Sequence, residues 1–75
     1  MLDTVKGIIK EVYKLDVSNV TLDSTLTEIG LDSLERVELV LDIEAEYDVK
    51  FTDADILYMK TINDVINIVK RNKGI

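Results

Sequence analysis

Gly30-Leu31-Asp32-Ser33-Leu34 is the stretch on which the reading of this 75-residue chain turns. Before it lies an irregular, turn-rich segment; after it comes the strongest helical run in the sequence. Asp32 is a favoured helix N-cap, and Glu35, three residues on, completes a capping-box pattern. Gly30 stands where a short preceding turn needs a residue free to take positive φ. The pattern predicts a turn that delivers the Ser33 hydroxyl to the first turn of a long helix.

That helix is expected from Ser33 to Tyr47. Leu39, Val40, Ile43 and Tyr47 form one apolar face, and Leu34, Val37 and Leu41 form a second. At about 100° per residue the two stripes are roughly opposed. Glu35, Glu38, Asp42, Glu44 and Glu46 fill the space between them. A helix that packs on one side needs one stripe. The second stripe therefore predicts another helix laid over it or a partner bound to it.

Upstream, Leu2 to Lys14 reads as a first helix with Val5, Ile8, Ile9 and Val12 on one face. Leu15 to Asp32 is rich in turn formers (Asp16, Ser18, Asn19, Asp23, Ser24) yet keeps Val17, Val20, Leu22, Leu26, Ile29 and Leu31. So many aliphatics predict a loop pinned across the core, not a disordered linker. Leu26 to Ile29 is expected to form a short helical turn. Downstream, Thr52 and Asp55 mark the start of a short third helix, Asp53 to Tyr58, and Thr61 and Asp64 mark a fourth. The fourth carries Ile62, Val65, Ile66 and Val69 on one face and closes with Lys70, Arg71 and Lys73, read as a dipole and solubility complement. The expected fold is all-α: one domain over 1–75, a four-helix bundle with a long first loop and a short third helix.

Composition narrows the function. There are no cysteines and no histidines, so neither a disulfide framework nor a His/Cys metal site supports this small chain. Fifteen acids against nine bases give a net charge of −6. Asp23 to Asp55 holds most of the acids and only Arg36 and Lys50 as bases. Such a surface repels phosphate backbones, which argues against nucleic acid and for basic protein partners. Asp3, Lys6, Lys10 and Glu11 break up the first residues, and no apolar run approaches a membrane span. A cytoplasmic monomer is the expectation.

Catalysis by the chain alone is improbable, since a nucleophilic serine needs a base and Ser33 has only acidic neighbours. A calcium loop also fails: with Gly30 at its sixth position, Thr25, Thr27 and Ile29 fall where Asp or Asn is required and Arg36 where Glu is required. No metal site is expected beyond loose divalent binding by the acidic helix.

Leu26-Thr27-Glu28-Ile29-Gly30-Leu31-Asp32-Ser33-Leu34 resembles the attachment motif of acyl carrier proteins and its approach. Val37-Glu38-Leu39-Val40 and Ile43-Glu44-Ala45-Glu46-Tyr47 resemble the helix that follows it in that family. Phe51 to Asp55 and Thr61 to Val69 resemble its later helices. The resemblance spans nearly the whole chain. It departs from the common pattern at Thr52, where Pro is frequent, and near Leu26, where Phe is frequent.

The resemblance implies that Ser33 carries 4′-phosphopantetheine through a phosphodiester, with Asp32 and Leu34 completing the motif. A phosphopantetheinyl transferase would load it from coenzyme A, and the arm would carry acyl thioesters to synthase and acyl-transferring enzymes of fatty acid, polyketide or related lipid synthesis. It further implies that Leu34, Glu35, Val37, Glu38, Leu41 and Glu44 form a recognition face for basic docking patches. Leu39, Ile43, Ile56, Val65 and Ile66 would be candidates to line an acyl-chain pocket. Two other readings stay open from the residues: an amino-acyl, D-alanyl or peptidyl carrier, and an acidic interaction module that never receives a cofactor.

Overall fold

The structure is a computed structural model, and it describes residues 1–74. It contains α1 (Leu2–Tyr13), α2 (Leu26–Ile29), α3 (Ser33–Tyr47), α4 (Asp53–Tyr58) and α5 (Ile62–Lys73). The bundle matches the expected all-α architecture, with the anticipated turn at Leu26 to Ile29 forming a helix in its own right. None of the described helices is long and apolar enough to cross a membrane.

Four of the five described helix starts, all but that of α1, share one device. Thr25 with Glu28, Asp32 with Glu35, Thr52 with Asp55 and Thr61 with Asp64 each form a reciprocal capping box. The cap side chain accepts the amide at the third helical position, and the acid there accepts the amide of the cap residue. Each cap is worth roughly 1 kcal/mol, which matters in a small domain without covalent cross-links. At Thr52 the box needs a backbone N–H, which Thr52 donates to Asp55 Oδ2 at 3.0 Å. A proline at this position would have none to give.

The same bonds hold Glu28, Asp55 and Asp64 in their charged forms. The Thr25 amide lowers the pKa of Glu28, the Thr52 amide that of Asp55, and the Lys60 and Thr61 amides that of Asp64. Because the folded pKa values are depressed, the stabilisation is present above the ordinary carboxylate range. It is lost as pH falls through the folded values.

The core is aliphatic and runs through all the long elements. Val5 and Ile9 of α1, Leu39, Val40 and Ile43 of α3, and Ile62, Val65, Ile66, Ile68 and Val69 of α5 are buried. The long loop contributes Val20, Leu26 and Leu31, and the junctions on either side of α4 add Val49 and Met59. Leu26 N–H donates to Lys60 O at 2.9 Å, Ile62 N–H to Ser24 O at 3.0 Å and Asn63 N–H to Leu22 O at 2.9 Å. The loop is thus stitched to the α4–α5 junction, as its aliphatic content predicts.

Three expectations are corrected. Val12 is 53% exposed, because it lies in the last turn of α1, which ends one residue later at Tyr13 with Lys14 left-handed at φ 57°. The basic tail is more than a dipole complement: Lys73 Nζ donates to Tyr47 O at 2.8 Å and Asn72 Nδ2 to Lys50 O at 2.7 Å. Arg71 pairs with Asp55. The end of α5 therefore laces the α3–α4 connection, and Lys73 supplies a cation to the C-terminal end of α3, which has no base of its own there. Finally, Leu22, counted among the loop's anchors, stands largely in solvent at 42% exposure.

Gly30 closes α2 at φ 108°, donating to Leu26 O and Thr27 O. Gly7 sits within α1, and a Cβ there would meet nothing within 4 Å. Opposite effects are predicted: Gly30→Ala lowers stability by about 1–2 kcal/mol, and Gly7→Ala raises it by about 0.5–1 kcal/mol. Urea unfolding of the two variants checks both signs.

Candidate functional site

The site begins with the Asp32–Glu35 box. Glu35 N–H donates to Asp32 Oδ1 at 2.8 Å, and Asp32 N–H donates to Glu35 Oε1 at 3.1 Å. Arg36 N–H donates to Asp32 O at 2.9 Å, which is the first bond of the helix ladder. Ser33 is consequently the first residue of α3. Helix geometry leaves the Ser33 and Leu34 amides with no carbonyl of the ladder to bond, and they lie at the positive end of the helix dipole. The Ser33 side chain is exposed. It combines an accessible hydroxyl with a backbone setting suited to a phosphate.

A second anchor holds this end of α3. Tyr13 Oη donates to Glu35 O at 3.1 Å, tying the end of α1 to the first turn of α3. Burial raises the Tyr13 pKa to about 12, with the Asp42, Glu38 and Glu35 carboxylates adding to the shift.

Beside Ser33 is a shallow groove of about 250 Å³ lined by Ser33, Arg36, Val37, Ile56 and Leu57, between the start of α3 and α4. Arg36 spans the two elements: its Nη2 donates to Met59 O at 2.5 Å. Its Nε is buried and has no hydrogen-bond partner among the described residues. Leaving such a donor unsatisfied costs about 1–3 kcal/mol. Arg36 had no assigned role from the sequence. The available signal was its place as a lone base one helical turn after Ser33.

The face expected to meet partners divides in two. Leu34 is 67% exposed, Leu41 59% and Val37 42%, so the second apolar stripe of α3 lies open with no helix over it. Glu38 is also exposed. Glu35 and Glu44 behave differently, because each is half-buried and engaged. Glu35 serves the capping box, and Glu44 Oε2 accepts from Phe51 N–H at 2.7 Å, fixing the turn into α4.

The five residues expected to line an acyl pocket do not share a cavity. Leu39, Ile43, Val65 and Ile66 are closed in the core, and only Ile56 reaches an open groove, the one beside Ser33. A larger groove of about 500 Å³ lies between α4 and α5, lined in part by Tyr58, Ile68 and Arg71, and contains none of the five. Sequence reasoning missed it because its walls come from two helices, α4 and α5, whose separation no spacing rule gives. Among the described residues, no three His, Cys, Asp or Glu side chains come close enough together to hold a metal, so the acidic helix offers divalent ions no preformed site.

The sequence pattern of the family "Phosphopantetheine attachment site" matches residues 3–69. An acyl carrier protein of Thermotoga maritima is 39% identical over 71 residues, covering 93% of this chain and 88% of its own. One from Onion yellows phytoplasma is 33% identical over 73 residues, covering 96% of each. The crystal structure of an acyl carrier protein from Thermotoga maritima superposes with a TM-score of 0.88 at 27% sequence identity, covering 95% of this chain and 84% of that one.

The fold and the family pattern define a phosphopantetheine-attachment domain. Within that class, the chain belongs to the acyl carrier proteins. Its cofactor is 4′-phosphopantetheine, and it is a carrier and not an enzyme.

The Tyr13 pairing generates a pH prediction. The folded protein holds the phenolic proton more tightly than the unfolded chain, whose tyrosine titrates near 10. Stability is therefore fully present below pH 10 and falls as pH rises toward 12, by on the order of 1 kcal/mol after solvent screening. Tyr13→Phe removes that loss, at a cost of roughly 0.5–1.5 kcal/mol at neutral pH for the missing hydrogen bond. Thermal unfolding of both proteins from pH 8 to 11.5 measures the difference.

Proposed function

We propose that Ser33 is the attachment point and that the chain carries acyl groups between enzymes of fatty acid or related lipid synthesis. The observation that carries this reading is the exposed Ser33 hydroxyl at the first position of a capped helix, beside an open groove and an open apolar stripe. The residues present fit the group. The first-turn amides and the helix dipole favour a phosphate on Ser33, and Arg36, whose Nε has no hydrogen-bond partner among the described residues, lines the same groove as Ser33. When bound, the arm supplies the thiol that this cysteine-free chain lacks and on which acyl groups travel as thioesters.

The chain does not activate its own serine. Asp32 and Glu35 already accept backbone N–H groups, and no histidine exists. In this reading a transferase supplies the base. Ser33 Oγ attacks phosphorus of coenzyme A, its proton leaves to that base, and the nucleotide bisphosphate departs as the phosphoanhydride bond breaks. The work of the carrier is to hold Oγ out, fixed in direction and free of competing hydrogen bonds.

Partner recognition is assigned to Leu34, Val37 and Leu41 with Glu38 beside them. Apolar side chains at the centre and an acid at the rim suit a basic enzyme surface that also has a hydrophobic contact. Asp32, Glu35 and Glu44 contribute charge to that face while being held by backbone amides. A net charge of −6 disfavours self-association, so the reading includes a monomer, acting in the cytoplasm.

Two measurements test this. Incubation with coenzyme A and a phosphopantetheinyl transferase is expected to add one phosphopantetheine to the wild type and none to Ser33→Ala. Addition to both variants, or to neither, contradicts the assignment of Ser33. Glu38→Lys is expected to retain helix content by circular dichroism and to slow transfer to partner enzymes by about an order of magnitude at low salt. Equal rates at low salt would remove Glu38 from the docking face.

A further inference from the structure

Arg36 is placed oddly for a residue that only joins two helices. It is the lone base between Asp23 and Val49, a segment otherwise crowded with carboxylates. It lies one helical turn after Ser33, so the two side chains rise on neighbouring parts of the same surface. Both line the groove of about 250 Å³ with Val37, Ile56 and Leu57. One of its donors, Nη2, is used on Met59 O, while Nε has no acceptor among the described residues.

A phosphodiester on Ser33 would place a negative charge beside Asp32 and Glu35. The helix N-terminus favours it, but those two carboxylates oppose it. A guanidinium is the side chain best matched to this group, since it offers parallel N–H donors to two oxygens of one phosphorus. Lysine lacks that planar fork.

We propose that Arg36 is a positioning residue for the cofactor: its Nε–H, with a neighbouring guanidinium N–H, engages the phosphodiester on Ser33 and directs the arm along the α3–α4 groove. This rests on the assignment of Ser33 as the attachment point. Nε is enclosed as the side chain stands. Engagement therefore takes a turn of the guanidinium about its last side-chain bonds, toward the groove it already lines. Because Nη2 holds Met59 O, the turn also links occupation of Ser33 to the junction that follows α4. A simple tether predicts no such link: its Nε environment would be the same with and without the arm.

Nuclear magnetic resonance on the full chain, unmodified and loaded from coenzyme A by a transferase, separates these. The chain has two arginines, and Arg71, paired with Asp55, serves as the internal reference. On loading, the Arg36 Nε–H resonance is expected to move downfield and to show a proton–phosphorus contact, while Arg71 stays in place. In loaded Arg36→Lys and Arg36→Met, the phosphorus resonance is expected to move toward its position in the urea-unfolded loaded protein. Loaded wild-type protein with an unmoved Arg36 resonance and no proton–phosphorus contact overturns the proposal, and that measurement stands even if the variants fail to fold. A moved Arg36 resonance without the phosphorus contact overturns it too, placing the interaction elsewhere on the arm. Absence of the added mass overturns the Ser33 assignment itself, a result distinguishable from the others by mass spectrometry before any spectrum is recorded.

Discussion

The reciprocal pair of hydrogen bonds between Asp32 and Glu35 is the constraint on which the arrangement depends. It decides where α3 begins, and a shift of one residue turns every side chain of that helix by about 100°. With the start fixed, Leu39, Val40 and Ile43 face the core, while Leu34, Val37 and Leu41 face out. Ser33 falls on the first turn, where its hydroxyl is exposed and its amide is unused by the ladder. Gly30 and Tyr13 defend the same point from two sides. One permits the left-handed step before the cap, and the other ties the first turn of α3 to α1.

Carrier function and stability pull against each other on α3. Its acids repel one another and its second apolar stripe contributes little to the core. The fold compensates elsewhere, through capped helix starts, an aliphatic core continued through the long loop, and the lacing of α5 onto the α3–α4 connection. The short α4 is the least anchored element. It contains no fully buried residue and exposes Leu57 and Tyr58, and it is held by its cap, by Arg71 on Asp55 and by Arg36 on Met59 O. Elements of this kind open most easily, and this one borders the groove beside Ser33.

Much of this was legible in the sequence because the signals are local. Helical spacing marked α1, α3 and α5, and the Asp32, Thr52 and Thr61 caps were read from their acid three residues on. The Thr25–Glu28 box follows the same rule, but the four residues it opens are too few to show a helical period. Glu44, Arg36 and Lys73 were not legible in the same way. Their partners are backbone groups 7, 23 and 26 residues away, and no spacing rule connects a side chain to a distant amide or carbonyl. An acyl pocket is not legible for a related reason: apolar residues predict burial, while a cavity depends on how completely neighbours fill the space.

The central claim is that this chain presents Ser33, and no other hydroxyl, for attachment. Ser18 and Ser24 make the natural comparison, because both lie in the loop and are engaged locally, Ser18 with Asp16 and Ser24 with the Thr21 amide. Fragmentation mass spectrometry of the loaded full chain tests the claim most directly. Every fragment bearing the added phosphopantetheine is expected to contain Ser33, with the group located on that residue. Location on Ser18, Ser24 or a threonine would contradict it.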